Sequence, residues 1–159
     1  MLSCMQFEGI RAGIGRKTLK SLKESTWNTL ITLLKTWGLK EDVNYRINNL
    51  EGVMTFWNGS TISMIEMADI PSDPNFERFG SSEYTVIGVD EASQVSQKAV
   101  DVLFSRIRWK VHETFMVPRM LLTTNPAINW IRGRFVQDDE GNPAILSDSD
   151  GISPLPNFT

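Results

Sequence analysis

The feature that most constrains the fold is a short apolar run that stops on two acids. Val86-Ile87-Gly88-Val89 is followed at once by Asp90-Glu91. A run that short and that apolar reads as a strand buried on both faces, and such strands belong to parallel sheets flanked by helices. The pattern recurs along the chain. Ile10–Ile14 is a second apolar run, ending at Gly15-Arg16-Lys17, and Met120–Leu122 after Pro118 is a third.

Helical periodicity fills the spaces between these runs. Leu19, Leu22, Leu30, Leu33, Leu34 and Trp37 fall mostly at steps of three or four, or their multiples, with Gly38 as the stop. Val95, Ala99, Val102, Leu103 and Ile107 keep the same spacing, and Ser93 is placed to cap that helix. Strands alternating with helices predict an α/β fold with a mainly parallel sheet. Val53–Trp57 and Thr61–Ile65 flank Asn58-Gly59 and predict a β-hairpin insertion, with Asn44–Ile47 as a candidate third strand. Ile70–Pro74 is loop, because two prolines block helix and central strand alike. From Asp138 onward the chain turns polar and reads as a tail or linker.

Composition narrows the chemistry. The 159 residues suffice for one domain, and 41% hydrophobic against 22% charged is a globular balance. Cys4 is the only cysteine and His112 the only histidine. Internal disulfides, zinc clusters and His-based catalytic triads are therefore excluded, and the cysteine usage suits a reducing cytoplasm. A net charge of -3 gives no global attraction to nucleic acid, so any such contact must be local. No apolar run approaches the roughly 20 residues of a membrane span.

Two adjacent carboxylates at the carboxyl end of a buried strand are what nucleotide hydrolysis needs. One, Asp90, would hold a hydrated Mg²⁺ on the phosphates, and the next, Glu91, would position or deprotonate the attacking water. This is the Walker B pattern, although a buried strand ending in an acidic cap region looks the same. Leu121-Leu122-Thr123-Thr124-Asn125-Pro126 adds a second strand end with small polar residues. One helix separates the two. A right-handed crossover would return the chain to the same sheet edge, so Asp90, Glu91, Thr124 and Asn125 would face one crevice. Thr124 or Asn125 could there sense the terminal phosphate; Thr, Asn and Pro are also ordinary turn formers. Gly13-Ile14-Gly15-Arg16-Lys17-Thr18 is not read as a phosphate loop, because its spacing departs from G-x-x-x-x-G-K-[ST] and the strand runs into it.

An ordered set of segments over roughly residues 9–136 resembles the ATPase domain of the large terminase subunit of tailed bacteriophages. The set comprises Gly15–Ser25, Asn58-Gly59-Ser60, Pro71–Pro74 with Arg78–Ser81, Val89–Ala92, Leu121–Pro126, and Asn129-Trp130 with Arg134-Phe135. The resemblance implies a P-loop NTPase of the RecA-like class using ATP and Mg²⁺. In that family the domain drives double-stranded viral DNA into a capsid. It works as a homo-oligomeric ring with a portal protein and a small terminase subunit, in the host cytoplasm and at the procapsid portal. It implies Asp90 on Mg²⁺ through water, Glu91 as base, and Thr124 and Asn125 in coupling hydrolysis to movement. Arg78 would reach a neighbour's nucleotide, and Arg16 would contact nucleotide or help hold the site; for both arginines a plain surface charge is the alternative. Residues 1–136 would form a partial ATPase domain lacking the first strand and the phosphate loop, with Met1–Glu8 as the end of a preceding helix. Residues 137–159 would be a polar tail towards an absent nuclease domain. Such a chain alone is expected to bind ATP weakly and hydrolyse little. A helicase-like motor and a non-enzymatic split-gene product are the other readings.

Overall fold

The computed structural model describes residues 1–114, 119–126 and 128–136. They divide into two compact units, Met1–Thr124 and a second beginning at Asn125.

The first unit is built on one six-stranded sheet. In chain order it contains helix α1 (Leu2–Gln6), β1 (Arg11–Arg16), α2 (Leu19–Leu22), α3 (Asn28–Thr36), β2 (Tyr45–Asn48), β3 (Val53–Phe56) and β4 (Thr61–Glu66). Then come β5 (Val86–Val89), α4 (Gln97–Phe104), α5 (Val111–Thr114) and β6 (Arg119–Leu122). The spatial order is β2-β3-β4-β1-β5-β6. Strands β4, β1, β5 and β6 run parallel, and β2 and β3 are antiparallel additions at one side. The expected α/β architecture with a mainly parallel sheet and a hairpin is thus present. Among the described residues no helix is long and apolar enough to cross a membrane.

Alternation along the strands sorts residues to the two faces. Ala12 and Ile62 join Trp27, Leu30 and Leu34 in one buried cluster, with Ile14, Met64 and Val86 packed against it. On the opposite face side chains press close on the β1 glycines. A Cβ on Gly13 would lie 2.5 Å from Ile65 Cδ1, and one on Gly15 would lie 2.5 Å from Met67 Sδ. These glycines exist for close packing inside a strand, not to wrap a phosphate.

Some local expectations are corrected. Strand β1 starts one residue later than the apolar run and extends through Arg16, because parallel partners on both sides pair Gly15 and β4 extends the ladder to Arg16. The third hairpin strand is Tyr45–Asn48 rather than Asn44–Ile47. Helix α4 is capped by Ser96, whose hydroxyl accepts from the Ala99 amide, not by Ser93. Ser93 is used up in a 3₁₀ turn, Ala92–Gln94, that follows Glu91 in a left-handed conformation at φ 51°. Two helices, α4 and α5, lie between β5 and β6 where one was expected. In the Asn58-Gly59 turn only Gly59 takes positive φ. Asn58 instead donates its side-chain amide to the Cys4 and Phe7 carbonyls, tying the N-terminal segment to the hairpin.

The helix after β1 is unbroken but not α-helical throughout. A π-turn, Lys23–Trp27, joins α2 to α3. In the second unit, α6 (Trp130–Phe135) is capped by the Asn129 side chain, which accepts from the Ile131 and Arg132 amides. The polar tail predicted from residue 137 onward lies outside the described residues.

Candidate functional site

Parallel pairing brings three strand ends together. The Asp90 amide donates to the Gly15 carbonyl at 2.8 Å, and the Thr123 amide donates to the Val89 carbonyl at 2.9 Å. The carboxyl ends of β1, β5 and β6 therefore deliver Arg16, Asp90-Glu91 and Thr123 to one corner. Ligands gather at such strand ends in α/β sheets.

Asp90 is gripped on both oxygens. Thr26 Oγ1 donates to Oδ2 at 2.5 Å, and Thr123 Oγ1 donates to Oδ1 at 2.8 Å. The Glu91 amide adds a contact to Oδ1 at 3.1 Å. Burial alone would raise the Asp90 pKa. The Thr26 and Thr123 hydroxyls, then the Arg16 charge and the Glu91 amide, outweigh it and hold the carboxyl below its ordinary value.

Glu91 faces Arg16 in a bidentate pair. Nη2 lies 2.6 Å from Oε1 and Nε donates to Oε2 at 3.2 Å. Gln94 Nε2 also donates to Oε2, at 2.8 Å. The Glu91 carboxylate raises the Arg16 pKa further above its usual value. Arg16 Nη1 is 3.7 Å from Asp90 Oδ2 and donates to the Ser21 carbonyl and the Ser25 hydroxyl. The guanidinium is largely buried, whereas the two acids keep about a third of their side-chain surface in solvent. The corner thus offers water-accessible carboxylates backed by a fixed cation.

The structure brings Asp90, Glu91 and Arg16 together and sets Thr124 directly after Thr123, exposed to solvent. Asn125 opens the second unit. Arg78 is engaged within its own loop. Its Nη1 pairs with Asp73 Oδ2 at 2.7 Å and its Nη2 donates to the Ala68 carbonyl at 2.6 Å. Its guanidinium lies 4.8 Å from the ring centroids of Phe76 and Phe79. The sequence reading missed Thr26, Ser25 and Thr123. The available signal was the polar cluster Ser21, Ser25 and Thr26 on a helix leaving a strand end.

Among the described residues no three or more His, Cys, Asp or Glu side chains gather as a metal cage. One carboxylate with hydroxyl neighbours is a hard-oxygen donor set. It suits Mg²⁺, which keeps several waters and is commonly shared between a carboxylate and substrate phosphates.

A family model described as phage terminase large subunit matches residues 10–151. No curated protein sequence matches the chain. Among solved structures, the large terminase of a thermophilic bacteriophage superposes with TM-score 0.63 at 16% identity, covering 83% of this chain and 30% of that one. The same terminase in complex with ADP gives TM-score 0.59 at 16% identity, covering 77% and 28%. The ATPase domain of the Thermus phage P74-26 large terminase gives 0.55 at 10% identity, covering 86% and 56%. At these identities the structures establish the fold, the P-loop NTPase fold of terminase ATPase domains. The chain spans less than a third of the length of the thermophilic phage terminase.

Proposed function

The chain belongs to the phage terminase large subunit family, and we propose that its Asp90–Glu91 corner is part of the ATP-hydrolysing site of a motor that moves double-stranded viral DNA into a capsid. The observation that carries this reading is the pair of adjacent, partly exposed carboxylates at the end of a central parallel strand, one pinned by hydroxyls and the other by an arginine. The ADP complex of the thermophilic phage terminase supports nucleotide as the ligand.

In this reading Asp90 is the residue that would hold a hydrated Mg²⁺ shared with the phosphates. The ion, when bound, neutralises charge on the transferred phosphoryl group. Asp90 suits the role because its lowered pKa keeps it ionised near neutral pH. Glu91 orients the attacking water and accepts its proton. Glu91 Oε1 accepts from Arg16 alone and keeps a lone pair for water, so Glu91 can act with the Arg16 pair in place. Arg16 therefore serves to hold the acids in place. Thr124 and Asn125 follow the strand whose Thr123 touches Asp90, and are proposed to relay the state of the site to the rest of the motor. Arg78 is better explained by the loop it clamps than by contact with a neighbour's nucleotide. Portal protein, a small terminase subunit and further copies of the large subunit in a ring are the proposed partners, acting in the host cytoplasm.

The test is DNA packaging and ATP turnover by the terminase containing this chain, with Glu91→Gln compared against the parent. Loss of both on substitution is expected. Undiminished turnover in Glu91→Gln would remove the proposed role of the acid pair.

A further inference from the structure

We propose that Thr26, presented by the π-turn Lys23–Trp27, is a positioning residue for the Asp90 carboxylate; the metal consequence rests on the reading of Asp90 given above. The buried residues of this helix are Leu22, Trp27, Leu30 and Leu34. The step from Leu22 to Trp27 is five, and the next steps are three and four. In an uninterrupted α-helix residue 26, four after Leu22, would turn towards the core. The wider turn gives that place to Trp27, which is 2% exposed. Thr26 is left to face the carboxyl end of β5, where its hydroxyl meets Asp90 Oδ2 at 2.5 Å.

The same turn serves the second acid. Ser25, one residue earlier, accepts from Arg16 Nη1 and donates to the Ser21 carbonyl at 2.8 Å. Arg16 in turn holds Glu91. Single π-turns inside α-helices occur frequently at functional sites. Here the extra residue lets one helix fill the core and reach both carboxylates. Thr26 and Thr123 approach Asp90 on opposite oxygens, so the rotation of the carboxylate is fixed before any ion arrives. Removing such an outer partner typically costs a metal site roughly 10- to 100-fold in affinity.

The experiment uses the full chain with Thr26→Val, which keeps the shape but loses the hydroxyl, and Thr26→Ser, which keeps the hydroxyl. Mn²⁺ binding is followed by electron paramagnetic resonance. Urea unfolding is measured for Thr26→Val, Asp90→Asn and the double variant. The expected result is Mn²⁺ affinity about tenfold weaker in Thr26→Val, near-parental affinity in Thr26→Ser, and sub-additive unfolding effects in the double variant. Additive unfolding effects would overturn the proposal. So would a Thr26→Ser variant as impaired as Thr26→Val, because the methyl group would then be what matters. A parent chain that binds no Mn²⁺, with coupling between Thr26 and Asp90 intact, would leave Thr26 as the positioning residue and remove the metal role of Asp90.

Discussion

Arg16 and Arg78 are two part-buried arginines, each paired with a carboxylate, and they use the same chemistry for different ends. Arg16 stands at the end of a central strand and spends its donors on Glu91, Ser21 and Ser25. Both of its carboxylate neighbours remain open to solvent on one side. Arg78 stands in a 3₁₀ turn, Glu77–Phe79, and spends its donors on Asp73 and a backbone carbonyl. Its guanidinium lies over the rings of Phe76 and Phe79, which themselves stack at 5.6 Å. A fork of donors can thus organise a reactive corner or knot a loop. What separates the cases is whether the carboxylates opposite still have somewhere to bind a ligand.

The widest gap between the two regions should appear in turnover. Glu91→Gln keeps the shape of the Arg16 corner but removes the base. In the complete motor we expect ATP hydrolysis to fall by about 10² to 10⁴, the usual contribution of a general base. Arg78→Ala should leave the chemical step within a small factor of the parent once the folded fraction is matched. Comparable losses in single-turnover hydrolysis would erase the distinction and return Arg78 to the reacting centre.

Gly13→Ala tests the strand that delivers Arg16. The new methyl would meet Ile65 Cδ1, the outer end of a flexible side chain, at 2.5 Å and the less yielding Tyr84 ring at 3.2 Å. Overpacking of this kind costs about 1–3 kcal/mol, to be read from urea unfolding. An unchanged midpoint would mean that β1 has slack, and that Arg16 is held by its hydrogen bonds rather than by its strand.

Arg78→Ala should have a smaller effect on stability. The part-exposed pair with Asp73, the hydrogen bond to Ala68 and the ring contacts are each worth about 1 kcal/mol, and the aromatic stack stays in the variant. The expected result is a melting temperature lower by a few degrees, with the Asp90 corner unaltered. No shift would mean that the loop is held by Phe76 and Phe79 alone.

Which parts of this design were visible in the sequence follows from how local each signal is. Strand β5 and its acid pair are contiguous, so Val86–Glu91 could be read directly. Strand β1 was blurred because Gly13 and Gly15 weaken strand propensity, and only close neighbours on both sides explain them. Thr26 was hidden because the three-and-four rule of helices breaks at the π-turn, and Trp27 dropped out of the apolar face for the same reason. Thr123 was passed over for Thr124. Neighbouring residues at a strand end point to opposite sides, and the sequence alone does not fix which of them meets Asp90. Ser96 displaced Ser93 as the cap because the left-handed Glu91 and its 3₁₀ turn consume the intervening residues.

The smallest expected effect lies in the acid limb of stability. Burial would raise the Asp73 pKa, but the hydrogen bond from Arg78, with the Glu77 and Arg78 amides, lowers it below the ordinary value. A carboxyl lowered in the folded state contributes stability that is complete above its unfolded pKa, about 3.9 for Asp. That contribution disappears as pH falls through the lower, folded pKa. Asp90 is lowered as well, so it adds to the same limb with the same sign. Arg78→Ala removes the main lowering influence on Asp73 and leaves that on Asp90. Melting temperature against pH, followed from neutrality down to about pH 3, should therefore fall less steeply in the variant without becoming flat. A limb as steep as the parent's would mean that the amides alone hold Asp73 down. A flat limb would mean that neither Asp90 nor the amides left on Asp73 make folding depend on acid, and the hydroxyl grip on Asp90 would then carry no stability.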